Sequence, residues 1–309
     1  MAWASLVIVV AVVGVVDRSH ASCPPMTYGP GCTPCACAWH QYCRPDIGCS
    51  PRGQRICSGR AHSCRQTLNG TLTCWGDNSF GQATPVVSSS PALRVACGSR
   101  HTCVLHANQT MSCFGDNRLG QSSPPVGSFV DVAAGDTTSC AIATNGSLSC
   151  WGSAATQSSV VAPSQPMLLI APQVYVQVRA SSTDAFLALA QDGTMVFFGV
   201  SSTGNSVTPT SALFAEVCIG PTHGCGIRQD GSVTCWGGIA DIGPSTGAAH
   251  LSCGNGFSCA IGIDKTLQCW GPRVVSQPTV TTDYVAVASS NHSTCSITAS
   301  ETTRCFNVF

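Results

Sequence analysis

The chain has 309 residues, and its 14 basic residues balance its 14 acidic ones, which excludes the charge footprint of a protein that binds nucleic acid or an anionic membrane. Charged residues make up only 9%, while 31 Gly, 18 Pro and 22 Cys crowd the chain, a composition that suits a turn-rich all-β protein rather than a helical one. Cytosolic thiols are kept reduced, so this cysteine content points to an oxidising compartment.

In chain order, Ala2 to Val16 form an apolar run, followed by Asp17-Arg18-Ser19-His20-Ala21, where Ser19 and Ala21 meet the small-residue rule for signal cleavage. Residues 1–21 therefore read as a secretory signal peptide. Fifteen helical residues rise about 22 Å, short of a ~30 Å hydrocarbon core, which favours cleavage over a signal anchor. No later stretch is long enough to span a bilayer.

Residues 22–53 hold six cysteines: Cys23, Cys32, Cys35, Cys37, Cys43 and Cys49. The stretch YGPGCTPCACAWHQYC resembles a small EGF-like or receptor-type cysteine-rich module. Six cysteines allow fifteen connectivities. A disulfide-stiffened cap and a binding module both remain open for this segment.

From residue 54 to residue 309 one unit recurs. HSCRQTLNGTLTCWG starts at His62, HTCVLHANQTMSCFG at His101 and TSCAIATNGSLSCWG at Thr138. AFLALAQDGTMVFFG follows at Ala185, HGCGIRQDGSVTCWG at His223, FSCAIGIDKTLQCWG at Phe257 and STCSITASETTRCF at Ser293. Each copy is preceded by a short apolar run ending at or near Gly, and within the copies alternating apolar residues flank Asn-Gly or Asp-Gly turns. Short strands in seven units of this length predict a seven-bladed β-propeller, because one blade cannot bury both faces alone. The pattern V-A-A-G-x-x-H-[ST], a turn, then C-W-G-x-N-x-x-G-Q resembles the repeat of the regulator of chromosome condensation. Its cysteine-bearing form is similar to Crinkly-type receptor ectodomains and to a β-lactamase-inhibiting propeller. The resemblance implies the fold; the family serves unrelated tasks. Since the last copy stops soon after Cys305, closure of blade seven is expected to need a strand from just before Arg55.

Six copies carry cysteines ten positions apart: Cys64/Cys74, Cys103/Cys113, Cys140/Cys150, Cys225/Cys235, Cys259/Cys269 and Cys295/Cys305. That separation centres each hairpin on one residue and requires an odd loop, which a three-residue type I turn with a bulge provides. The two cysteines then face each other at disulfide distance. In the fourth copy both are replaced together, by Leu187 and Phe197, as an in-blade bond requires. A zinc site needs four ligands, usually in C-x-x-C pairs, so no metal is expected. Cys57, Cys97, Cys218 and Cys253 sit on the first strands of blades one, two, five and six, with alternating offsets from the strand Gly. This predicts two bonds between neighbouring blades, Cys57/Cys97 and Cys218/Cys253.

Four N-x-S/T sequons mark expected glycosylation at Asn69, Asn108, Asn145 and Asn291. The first three share one turn position in blades one to three. At the matching turns, blades four to six carry Asp192, Asp230 and Asp264. His62, His101 and His223 recur with the repeat, as do Trp75, Trp151, Trp236 and Trp270, and recurrence points to the fold rather than to chemistry. No catalytic constellation stands out and no cofactor is expected. The apolar stretch Met167-Leu168-Leu169-Ile170 reads either as an exposed contact or as an outer strand. Together these readings predict a secreted protein that binds an extracellular protein partner, with a lectin-like glycan binder as the alternative and nucleic acid excluded.

Overall fold

The computed structural model describes residues 55–153, 174–199, 213–228, 230–239, 243, 247–274, 283–291 and 293–307, with strand backbone at 27–28, 33–34, 41–44 and 48–51. The signal run 1–21, Cys23, Cys32, Cys35, Cys37, Met167 to Ile170 and His292 lie outside the described residues. The chain divides into two compact units, Met1–Pro51 and Arg52–Phe309. In the first, Thr27–Tyr28 pairs with Thr33–Pro34 and Gln41–Arg44 pairs with Gly48–Pro51, both antiparallel. Among the described residues no helix is long and apolar enough to cross a membrane.

The second unit holds seven antiparallel sheets of three strands each, ordered first, middle and third in space as in sequence. The first strands are Ile56–Ser58, Ala92–Cys97, Phe129–Ala134, Tyr175–Ala180, Phe214–Ile219, Ala248–Cys253 and Tyr284–Ser289. The middle strands are His62–Gln66, His101–His106, Thr138–Ala143, Ala185–Ala190, His223–Arg228, Ser258–Gly262 and Ser293–Thr298. The third strands are Leu72–Gly76, Met111–Gly115, Leu148–Gly152, Met195–Gly199, Val233–Gly237, Leu267–Trp270 and Thr303–Asn307. Each first strand packs against the next around a complete circuit, including that of blade seven against that of blade one. The first strands therefore surround the axis, and the sheets radiate from it as propeller blades. In blades two to seven the first strand is bulged near its start, for example between Phe129 and Asp131.

Burial follows from this arrangement. Middle strands such as HTCVLH are buried along their whole length, because neighbouring blades cover both of their faces. Seven apolar clusters result, one at each blade interface. The Trp residues of the third strands pack back onto the preceding blade: Trp75 on blade seven, Trp151 on blade two, Trp236 on blade four and Trp270 on blade five.

The closing strand expected from just before Arg55 falls on residues 52–54, which lie outside the described residues. Blade seven is completed by Thr303–Asn307 from the end of the chain, and among the described residues no strand from before Arg55 joins it. Side chains latch the circuit. Arg55 pairs with the Glu301 carboxylate, and Arg65 Nη1 donates to the Glu301 carbonyl and to Thr303 Oγ1 at 3.1 Å.

Close packing at the axis depends on the residue that ends each first strand. It is Gly59, Gly98, Gly135, Gly220 and Gly254 in five blades, with Ser181 and Ser290 in the other two. A methyl at Gly98 would stand 2.6 Å from the Gly135 carbonyl oxygen and 2.2 Å from His101 Cε1; one at Gly254 would stand 2.7 Å from the Ser290 oxygen. Overpacking of this kind costs about 1–3 kcal/mol. Gly98→Ala is expected to lower stability by that order in chemical denaturation, and Gly98→Ala/Gly254→Ala to lower it additively, since different blade pairs are affected.

Candidate binding faces

Because each blade runs up, down and up again, its two turns fall on opposite faces. The hairpins between middle and third strands form one face. The turns between first and middle strands, with the loops that leave the third strands, form the other.

On the hairpin face every blade uses the same turn. In blade two the Gln109 amide donates to the His106 carbonyl and His106 N to Thr110 O, both at 2.9 Å, with Gln109 at φ 68°. This is a type I turn closed by a left-handed residue, a place taken by Gly70, Gly146, Gly193 and Gly231 in four other blades. The exposed residue before it caps the turn. Asn108 Oδ1 accepts from Thr110 N at 3.2 Å and Thr110 Oγ1 at 2.7 Å, and Asn145 Oδ1 accepts from Ser147 N and Oγ at 3.0 and 2.7 Å. Asp192, Asp230 and Asp264 make the same bonds to Thr194, Ser232 and Thr266. These hydrogen bonds hold all three carboxyls below the usual carboxylate range. Asn69, Asn108 and Asn145 are exposed on this face. Asn291 lies apart from them, half-buried on the opposite face, where its Oδ1 accepts from Ser182 Oγ at 2.8 Å.

The hairpin register also places the cysteines. The closing bond at His106 and Thr110 makes alternate rungs non-hydrogen-bonded, and Cys103 and Cys113 meet three rungs in, on such a rung, at a Cα–Cα distance of 4.1 Å. Cys64–Cys74, Cys140–Cys150, Cys225–Cys235, Cys259–Cys269 and Cys295–Cys305 are bonded alike, each at 4.0 Å. Two further disulfides, Cys57–Cys97 and Cys218–Cys253, join neighbouring blades. The sulfurs of Cys57, Cys64 and Cys97 lie within 4.8 Å of one another, as do those of Cys218, Cys225 and Cys253. All six are disulfide-bonded, so neither cluster presents the thiolates that a metal ion needs.

The recurrent histidines tie blades together. His62 Nε2 meets Thr102 Oγ1, His101 Nε2 meets Ser139 Oγ and His223 Nε2 meets Ser258 Oγ, each at 2.8 Å and each across a blade interface. Thr102 and Ser139 donate onward to the Gln82 and Gln121 carbonyls. Each hydroxyl must then accept from the imidazole, so His62 and His101 carry their proton on Nε2 and are neutral. Burial lowers the pKa of His62, His101 and His223 to about 4. These residues are interior ties, with no open face toward a substrate.

Sequence reasoning did not find the buried ions. Asp131, 1% exposed, bonds Arg94 of blade two and stands 3.3 Å from Arg179 of blade four, and it accepts from the amides of Val132 and Val178. At the same bulge position two blades on, Glu216 accepts from Leu251 N at 3.1 Å and lies 3.3 Å from His250. Arg94, Asp131, Gln177, Glu216 and His250 all stand third in their first strands, and that polar alternation within apolar runs was the available signal.

The other face is formed by the turns between first and middle strands and by two rigid loops. In blade one Asp77 accepts from Ser79 and Gln82, and Gln82 Oε1 accepts from Phe80 N at 2.8 Å. Blade two repeats the loop with Asp116, Leu119 and Gln121, and Arg118 bonds Asp116 through both Nε and Nη2. Phe80 is 37% and Leu119 51% exposed. The guanidinium groups of Arg100 and Arg118 each stand 5.0 Å from the Phe80 ring centroid.

Seven three-stranded blades closed around an axis, with buried polar ties between them and two broad loop faces, define a β-propeller scaffold. The chain matches the regulator of chromosome condensation (RCC1) repeat at residues 54–82, 93–121 and 129–154. No curated protein sequence matches it. Among solved structures, the CRINKLY ectodomain of the Arabidopsis thaliana receptor kinase ACR4 is similar at 21% identity and a TM-score of 0.68, covering 82% of this chain and 95% of that one. The ectodomain of Physcomitrella patens receptor kinase CR4 is 19% identical, with a TM-score of 0.67 over 82% of this chain and 73% of that one. Prp20p from Saccharomyces cerevisiae is 13% identical, with a TM-score of 0.62 over 76% and 80%. The chain is an RCC1-like seven-bladed propeller.

Two stability tests follow from these ties. On the chain-entropy relation, a cross-link closing 40 residues stabilises by about 4 kcal/mol and one closing 10 by about 3. Cys57→Ser/Cys97→Ser is therefore expected to lower unfolding free energy more than Cys103→Ser/Cys113→Ser. The histidines add a pH dependence. Above pH 6.5 both folded and unfolded chains hold them neutral; between 6.5 and about 4 only the unfolded chain takes up protons, so stability falls as pH drops through that window. In His101→Phe, which copies the buried Phe257 of blade six, the fall in melting temperature across this window is expected to flatten.

Proposed function

We propose that this chain is a secreted, glycosylated, disulfide-stabilised propeller that acts as a non-catalytic recognition scaffold for an extracellular protein. In this reading residues 1–21 are a signal peptide, 22–53 a cysteine-rich module and 54–309 the binding propeller. The observation that carries it is the sorting of surface chemistry. Exposed sequon asparagines occupy one turn position in three consecutive blades, while the matching turns of the next three carry aspartate. Glycans at Asn69, Asn108 and Asn145 would then cover one sector and leave other surfaces bare.

Eight disulfides among the described residues support an oxidising environment, and they hold the loop faces in place before a partner arrives. Similar folds serve the receptor kinase ectodomains and Prp20p, whose structure was described with its binding to Gsp1p and histones. A lectin-like role is disfavoured by the repeated tryptophans. Trp236 and Trp270 are 8% exposed and packed between blades, so they present no ring on which a sugar could stack.

The turn geometry supplies the test. Asp230→Asn creates Asn-Gly-Ser and retains a side-chain oxygen for the same capping bonds. The variant, expressed through the secretory pathway, is expected to gain one glycan with an unchanged melting temperature, detected by glycosidase-sensitive mass shift. Wild-type protein is expected to carry glycans at Asn69, Asn108 and Asn145 and to capture a specific partner from cell surfaces. A wild-type protein secreted without glycans at these sites would overturn the sector argument.

A further inference from the structure

At the axis, the face opposite the hairpins opens into a cavity that draws on all seven blades, its wall including Ser58, Arg60, Ser99, Ser182, Ser290 and Asn291. Its lining is dominated by glycine and serine, and Arg60 is the only charged residue lining it among the described residues. Arg60 is exposed at the tip of its turn, and no carboxylate lines the cavity among the described residues. Serine hydroxyls surround the opening, and Ser182 and Asn291 bond each other between blades four and seven. A single guanidinium in an otherwise neutral, polar mouth suits one carboxylate.

The rim continues into an apolar contact. Ser99 lines the cavity, and the next residue, Arg100, covers Phe80 from one side while Arg118 also stands over the ring. Arg118 spends its charge on Asp116, so the pair adds no net attraction for a polyanion. A sulfated glycan or other polyanion would require a run of free cations, and this surface supplies few. An exposed aromatic clasped by arginines, beside a cavity lined by Arg60, has the composition of a protein-binding hot spot.

We propose that this axial mouth binds an acidic segment of a protein partner, with one glutamate or aspartate side chain entering the cavity toward Arg60 and a neighbouring apolar side chain resting on Phe80. This deepens the recognition role proposed above and rests on it. It places contact on the face opposite the three hairpin sequons, and it requires Asn291, which forms part of the cavity wall, to remain unglycosylated.

The probe is the end-blocked peptide Gly-Glu-(p-benzoylphenylalanine)-Glu-Gly, photo-crosslinked to the full secreted glycoprotein and mapped by mass spectrometry. Crosslinks are expected near Phe80, Ser99 and Arg100. Arg60→Gln, an exposed change that should leave the melting temperature intact, is expected to lower crosslinking about tenfold, the loss of one charge-assisted hydrogen bond. The peptide with glutamine in place of glutamate should fail likewise. Crosslinks on the hairpin face, yield unaffected by Arg60→Gln, a glycan found at Asn291, or absence of crosslinking would each overturn the proposal. Equal competition by acetate or inorganic sulfate would overturn it in favour of a small-anion site. None of these outcomes bears on whether the hairpin sequons are glycosylated or a partner is captured, which are read independently.

Discussion

The propeller depends on how closely two backbones can approach at its axis. Where an inner strand ends, its glycine Cα lies against the carbonyl of the next blade: a methyl at Gly59 would meet the Gly98 oxygen at 2.3 Å, and one at Gly220 the Gly254 oxygen at 2.3 Å. The imidazoles of His62, His101 and His223 stack on the same glycines. Ring size, histidine burial and the narrow axial opening all follow from this spacing. A wider spacing would pull each imidazole from its hydroxyl partner and open the apolar clusters between blades.

Given that spacing, the seven interfaces are held by different chemistry. A disulfide and a histidine bond join blades one and two, and again five and six. Arg94 and Asp131 link blades two and three, and Asp184 bonds the Thr137 and Thr138 amides between three and four. Gln177 accepts from Val217 across four and five, Ser252 from Ser289 across six and seven, and Arg55 and Glu301 close the circuit. Paired charges inside a protein cost desolvation, so those at Asp131 hold geometry by saturating every acceptor rather than by adding much net stability.

The repeat was legible because each copy keeps its own turn and strand pattern, and a cysteine separation of ten constrains hairpin parity independently of any fold. Leu187 facing Phe197, in the register that elsewhere faces cysteines, shows how far that local logic reaches. The latch between Arg55 and Glu301 was not legible, since it joins residues 246 apart whose types carry no motif. The Asp131 ion set was hidden for a related reason: its partners come from three blades, and only the closed ring brings them together. The axial mouth is built mainly from backbone, glycine and serine, which read locally as ordinary turns.

The hairpin turns carry a consequence for how such a surface diversifies. Asparagine and aspartate cap them through the same oxygen, followed two positions later by the same threonine or serine hydroxyl. The Thr or Ser that completes the cap is also the residue that completes a sequon. In six of the seven blades, one nitrogen-for-oxygen exchange thus adds or removes a sequon without touching strand register, disulfide or core. The cap therefore leaves the sequon pattern free to change blade by blade while the ring beneath stays constant.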